Sequence, residues 1–301
     1  MKIEWHGVIP AITTPFDRDL RIDHGFLAEH ARWLVDAGCT GIVPLGSLGE
    51  GATLERAEKR AVIETLVRAV GDRAPVIPGI SSLGTADAVS LAHEAGAAGA
   101  SGLMVLPPYV YSTDWREMKA HVAAILAATD LPCLLYNNPL AYRTDFVPEE
   151  VKELADAFPN LEAVKESSAD VRRVAAIRVL LGDRLKVLVG VDDMIVEGIA
   201  AGAAGWIAGL VNAFPHESVA LFRYAAEARK RETEVLYRWF LPLLRLDTVP
   251  KFVQLIKLAQ ERVGMGTSRV RPPRLPLDGA ELEDAVRVIE SALASRPGVP
   301  I

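Results

Sequence analysis

Eight apolar, β-rich runs recur along the chain, and segments of helical periodicity separate most of them, which narrows the possible folds more than any other feature of the sequence. The runs are "GVIPAITT" (7–14), "GCTGIVPLG" (38–46), "APVIPGIS" (74–81), "ASGLMVLPP" (100–108), "LPCLLYNNP" (131–139), "LEAVKESS" (161–168), "LKVLVGVDD" (185–193) and "AAGWIAGL" (203–210). Helical spacing marks 54–70, 85–95, 115–128 and 171–181 between them. Continuous rather than alternating hydrophobicity suits parallel strands covered on both faces, and right-handed crossovers then leave a doubly wound sheet or a closed barrel. Three segments repeat one design, "DAGCTGIVPLG", "EAGAAGASGLMVLPP" and "AAGAAGWIAGL", each a helix stopped by glycine and followed by a buried strand. That recurrence favours an α/β fold of the (β/α)8 TIM-barrel type, and no G-x-G-x-x-G follows any strand.

After residue 214 the strand signals fade, and 217–229, 232–246, 251–263 and 281–294 read as helices. The expected organisation is a barrel carrying the active site over 1–214 and a C-terminal helical appendage over 215–301. Residues 264–279 form the one long loop, expected to cross the surface.

A net charge of −6 without a basic cluster argues against nucleic acid or an anionic membrane as partner, so a small molecule is expected. The N-terminal stretch has no apolar core of signal-peptide length, and no run approaches a membrane span, which predicts a cytoplasmic protein. Cys39 and Cys133 lie in apolar segments without a CxxC partner and read as packed thiols. The six histidines show no metal-ligand spacing, so no metal is expected.

In a barrel of this kind the C-terminal strand ends form the active face. The sequence places there Thr13, Thr14, Ser47, Glu50, Tyr109, Tyr111, Tyr136, Asn137, Lys165, Gly190, Asp192 and Asp193. Lys186 begins its strand and belongs to the opposite end. Lys165 ends an apolar strand and is either an ion-pair partner of Glu166 or an aspartate, or an amine held for covalent chemistry. An ordinary lysine is only about 0.04% neutral at pH 7, and burial among residues such as Ala163 and Val164 is how a protein prepares an amine for a Schiff base. Tyr136 is either a packed ring or a phenol that shuttles protons, linked to water through Ser47 and Tyr109 or Tyr111. The turn "GSLGEG" (46–51) is ordinary turn geometry or a small anion nest. The paired carboxylates of "GVDDM" (190–194), Asp192 and Asp193, either cap the next helix or bind substrate hydroxyls, with capping the favoured role of Asp193.

"GSLGE", "YNNP" and "VKESS", in this order, resemble the dihydrodipicolinate synthase and N-acetylneuraminate lyase family of class I aldolases and lyases, over nearly the whole chain. The resemblance implies a homotetrameric (β/α)8 barrel, without a cofactor beyond a covalent imine between Lys165 and a 2-keto acid. Tyr136 matches the family's proton-shuttling tyrosine, Ser47 the first hydroxyl of its Gly-Thr-Thr-Gly-Glu loop, and Ile207 a residue lining the keto-acid pocket. Leu48 replaces the second hydroxyl, leaving backbone N–H groups to hold the carboxylate. The relay tyrosine from a neighbouring subunit matches Tyr109 or Tyr111. The synthases' arginine two residues after the proline is here Ala141, with Arg143 two residues later.

A narrower resemblance, carried by "VKESSADVRR", "GWIAGLVNAFP" and "YRWFLPLLRLD", points to the family's Δ1-pyrroline-4-hydroxy-2-carboxylate deaminases. It implies conversion of that cyclic imine to 2,5-dioxopentanoate and ammonia in hydroxyproline breakdown. The alternatives are a dihydrodipicolinate synthase-like enzyme or a keto-deoxy sugar acid aldolase or dehydratase acting on pyruvate or another 2-keto acid, and a barrel that binds keto acids without turnover.

Overall fold

The computed structural model describes residues 3–108 and 114–299. Seven parallel strands form one sheet: β1 (Gly7–Pro10), β2 (Gly79–Ile80), β3 (Leu103–Val105), β4 (Cys133–Asn137), β5 (Leu161–Glu166), β6 (Lys186–Val189) and β7 (Gly205–Ala208). Their order is β1-β7-β6-β5-β4-β3-β2. The second apolar run of the sequence lies between the two edges as isolated parallel bridges, Ala11 to Val43 on one side and Ile42 to Val76 on the other. Backbone bonds from Ile12 N to Val43 O, Ile77 N to Ile42 O and Gly79 N to Pro44 O continue the hydrogen bonding across the gap, so the sheet curls until its edges meet. Pro44, Pro75 and Pro78 have no N–H to give a ladder. Their presence explains why this sector is bridged rather than built from long strands.

Helices cover the sheet: α1 (His24–Asp36), α2 (Arg56–Val70), α3 (Thr85–Ala97), α4 (Trp115–Ala127), α5 (Pro139–Tyr142), α6 (Pro148–Ala157), α7 (Arg172–Leu181) and α8 (Ile195–Ala200). The repeated glycine design has one physical basis. Gly38, Gly99 and Gly202 follow α1, α3 and α8 with φ of 100°, 92° and 101°, a region that costs glycine little. The next residue then donates back five positions, from Cys39 N to Leu34 O, Ala100 N to Ala95 O and Ala203 N to Gly198 O, closing the helix end and aiming the chain at the next strand.

Both faces of the strands are buried, as their continuous hydrophobicity requires, and Trp206, Phe16, Phe146 and Phe214 are among the largest fully enclosed side chains. Cys39 and Cys133 are buried free thiols, with burial pushing the Cys133 thiol up to about 12. Beyond residue 214 come α9 (Pro215–Ala226), α10 (Lys230–Leu244), α11 (Phe252–Arg262) and α12 (Gly279–Ala294). Helix α9 packs on α8 and β1, and α10 packs on α9 and α12. Among the described residues no helix is long and apolar enough to cross a membrane.

Candidate active site

Tyr136 and Lys165 are register partners on β4 and β5, and the next pair along is Asn137 with Glu166. Side chains alternate across a strand, so the two pairs face opposite ways. Outside, the Asn137 amide donates to Glu166 Oε2 at 3.1 Å and to Phe146 O at 3.3 Å, and Glu166 Oε1 accepts from Ser168 N at 2.6 Å. Burial raises the Glu166 carboxyl, against the pull of these bonds. Inside, Lys165 is 6% exposed and its Nζ stands 4.2 Å from the centroid of the Tyr136 ring. Among the described residues no carboxylate lies within ion-pair distance of Lys165; the neighbouring Glu166 is on the wrong face. Lys186 opens β6 at the far end and pairs with Asp183 at 3.2 Å.

Gly190 gives Lys165 its room. A Cβ at that position would stand 2.0 Å from Ser167 Oγ and 2.6 Å from Lys165 Cε. Ile207, on β7 opposite Ile9, is 1% exposed, and Leu48 is 3% exposed. Asn138 donates from its side-chain amide to the Tyr136 hydroxyl at 2.9 Å, while its Oδ1 accepts from Ala141 N at 3.0 Å and starts α5.

Helix α5 brings in a residue that the sequence reading did not single out. The Tyr142 hydroxyl is hydrogen-bonded to the Ser47 hydroxyl, and the Tyr142 ring packs edge-on against Tyr136 with centroids 5.6 Å apart. The two phenols and the serine therefore form one wall. Its signal was local: Tyr142 lies six positions after Tyr136 in "YNNPLAY", within reach of the same strand end. Tyr109 and Tyr111, the two expected relay tyrosines, lie outside the described residues.

Asp192 is fully buried, and its oxygens are occupied. Trp206 Nε1 donates to Oδ1 at 2.9 Å, Gly209 N reaches both oxygens at 3.1 Å, and Leu210 N donates to Oδ2 at 2.8 Å. Burial pushes its carboxyl up to about 6, while these donors and the charge of Lys165 pull the other way. Asp193 ion-pairs with Arg245 at 3.6 Å and its carbonyl accepts from the Tyr237 hydroxyl. Thr14 donates to Gly49 O at 2.6 Å and Thr13 to Gln260 Oε1 at 2.9 Å, so both hydroxyls brace the surrounding loops. Arg143 is exposed, with a φ of 63° at the end of α5.

Glu50, at the end of the "GSLGE" turn, is wholly buried and meets Lys257 of α11 at 2.5 Å. Its other oxygen accepts from Arg271 N at 3.0 Å. Lys257 also donates to Arg269 O at 2.7 Å, and burial pulls its amine down to about 8 against the attraction of Glu50. The turn that carries Ser47 and Leu48 is thus pinned by the C-terminal part of the chain. Among the described residues no group of three His, Cys, Asp or Glu side chains could hold a metal ion.

The architecture is thus an α/β protein with a curled parallel sheet and, at its C-terminal rim, a buried lysine set over a tyrosine ring. The model of the dihydrodipicolinate synthetase family matches residues 4–292. The chain belongs to that family. It is 35% identical to the 4-hydroxy-tetrahydrodipicolinate synthase of Natronomonas pharaonis over 287 residues, 94% of this chain and 96% of that one. It is also 35% identical to the synthase of the same name from Methanoculleus marisnigri over 291 residues, 95% and 98% of the two chains. Among solved structures, dihydrodipicolinate synthase from Bacillus anthracis superposes with a TM-score of 0.92 at 27% identity, covering 99% of this chain and 100% of that one. These relatives are named as synthases. The deaminase resemblance in the sequence has no counterpart among them.

Proposed function

We propose that the protein is a lysine-imine enzyme acting on a small 2-keto acid, with condensation of the 4-hydroxy-tetrahydrodipicolinate synthase type as the leading reading. The observation that carries it is Lys165, buried, without a carboxylate in ion-pair distance among the described residues, and set against Tyr136 at the rim of the sheet. The relatives' names support the same chemistry, and a family member from E. coli K12, 26% identical with a TM-score of 0.90 over 96% of this chain and 99% of that one, was solved in complex with pyruvate.

In this reading the neutral Lys165 amine attacks the keto carbon of pyruvate. Tyr136 returns the proton that lets the carbinolamine lose water, and the Ser47–Tyr142 pair carries protons onward. The imine then acidifies the adjacent methyl group, and the resulting enamine attacks an aldehyde such as aspartate semialdehyde. Backbone N–H groups at Ser47 and Leu48 hold the carboxylate, Leu48 supplies an apolar wall, and no cofactor takes part.

The second reading is deamination of Δ1-pyrroline-4-hydroxy-2-carboxylate, favoured by Leu48 where the family has a hydroxyl and by the exposed, displaced Arg143, which leaves no arginine at the place of the synthases' clamp. The purified protein should be given pyruvate with aspartate semialdehyde, and separately the pyrroline with a 2,5-dioxopentanoate dehydrogenase. Consumption of both co-substrates supports the leading reading. Equimolar ammonia and NADH from the pyrroline would replace it by the second, and imine formation without any turnover would leave a keto-acid-binding barrel.

A further inference from the structure

The 3₁₀ turn Arg245–Asp247, just after α10, lies against the turn Asp192–Met194. It delivers a second carboxyl group to the rim of the sheet beside Asp192. A Cβ on Gly209 would stand 2.0 Å from Asp247 Oδ1 and 2.6 Å from its Cγ, so the Asp247 carboxyl rests directly on the residue whose N–H holds Asp192. The two acids differ in one decisive respect. Asp192 has its oxygens taken by Trp206, Gly209 and Leu210, whereas Asp247 Oδ1 is buried and has no hydrogen-bond partner among the described residues.

A buried polar atom left unpaired is costly, and such an atom at the edge of a site is a place for a ligand group. Burial and the neighbouring Asp192 hold the Asp247 carboxyl well above the usual range, and the charge of Lys165 acts in the opposite direction. A carboxyl group in either protonation state accepts a hydrogen bond from an alcohol. Gly209, on which Asp247 rests, directly follows the end of β7, two strands away from Lys165 on β5, so a group touching Asp247 belongs further along the ligand than the imine carbon C2.

We propose that Asp247 is a specificity-determining residue that binds a hydroxyl on C4 of a 2-keto acid or cyclic imine held at Lys165. This rests on the imine reading of Lys165, though not on which reaction follows. Asp192, whose oxygens are already satisfied, holds Trp206 and the 209–210 backbone in place around it.

The test compares borohydride trapping of 4-hydroxy-2-oxopentanoate and 2-oxopentanoate, which differ only in the C4 hydroxyl. Wild-type protein should trap the hydroxylated acid at about five- to tenfold lower concentration, the worth of one additional hydrogen bond. In Asp247→Leu and Asp247→Ser the ratio should fall to about one, with circular dichroism showing which variants are folded; either folded variant suffices. A preference that survives in a folded variant, or a wild-type ratio of one or less, overturns the assignment. Failure of the wild type to trap either acid instead overturns the imine reading beneath it.

Discussion

Lys165 Nζ stands 4.2 Å from the centre of the Tyr136 ring, and the two residues face each other across neighbouring parallel strands. The contact follows from register alone. A one-residue slip between β4 and β5 would oppose Asn137 to Lys165 and turn the phenol away from the amine. The rigid sheet, rather than a loop, therefore fixes the distance between the amine and the phenol.

Lys165→Ala should abolish the borohydride-trapped pyruvate adduct. Mass spectrometry of the digested wild-type protein should find the label on the peptide containing Lys165. Undiminished labelling in the variant would remove Lys165 from the chemistry.

Tyr136→Phe should keep the fold and slow turnover by roughly 10² to 10⁴, the range for a lost acid-base group. Asn138→Ala and Ser47→Ala should each act less severely, because one removes a donor to the Tyr136 hydroxyl and the other a partner of Tyr142. Steady-state kinetics alongside circular dichroism checks this, and near-normal kcat in Tyr136→Phe would return that ring to a packing role.

Gly190→Ala should disturb the amine more than the fold. The new methyl group would meet Ser167 Oγ at 2.0 Å and Lys165 Cε at 2.6 Å, both on side chains that can move. Displacing the nucleophile by about an ångström costs on the order of a hundredfold in rate. The measurement is the trapping rate beside the thermal midpoint; an unchanged trapping rate would show that Lys165 has slack.

Stability should fall in mild acid because of His30. Its ring is buried, with Nε2 3.0 Å from Asn212 O and Nδ1 without a partner among the described residues, and burial pulls its pKa down from 6.5 to about 4. Between those values the unfolded chain binds a proton that the native chain refuses. The contribution is therefore intact above pH 6.5, falls as the pH drops toward 4, and amounts to about 3 kcal/mol when complete. Urea unfolding of wild type and His30→Leu at pH 7 and pH 4.5 isolates it: the variant should show the weaker dependence, and equal slopes would mean that His30 is protonated without penalty.

The helices and the parallel sheet were legible because their causes are local. The apolar runs, the spacing of α2, α4 and α7, and the glycines that close α1, α3 and α8 all act over a few residues. The placement of Lys165 and Tyr136 was legible for a related reason: each is the last residue but one of its strand, and strand ends converge. The sector of 41–44 was harder, since hydrophobicity marks it as a strand while its prolines thin the ladder to bridges. Partnerships between distant segments left no trace in the sequence. Nothing near Asp192 announces that Trp206 and the backbone at 209–210 will satisfy it, and nothing near Asp247 announces that it will not be satisfied. Tyr142 was hidden differently, because α5 is a single turn of four residues, too short to show a period.

The burial of Glu50 against Lys257 also sets an order of events. The two residues are 207 positions apart, so on the ribosome the carboxylate emerges long before its amine exists. Until α11 has been synthesised, Glu50 must keep its water, and the turn bearing Ser47 and Leu48 has no anchor from that side. The nascent chain passes through lengths at which all seven strands have been made and that turn is still unpinned. The pinning of that turn is therefore a late step, made only once Lys257 has left the ribosome and reached Glu50.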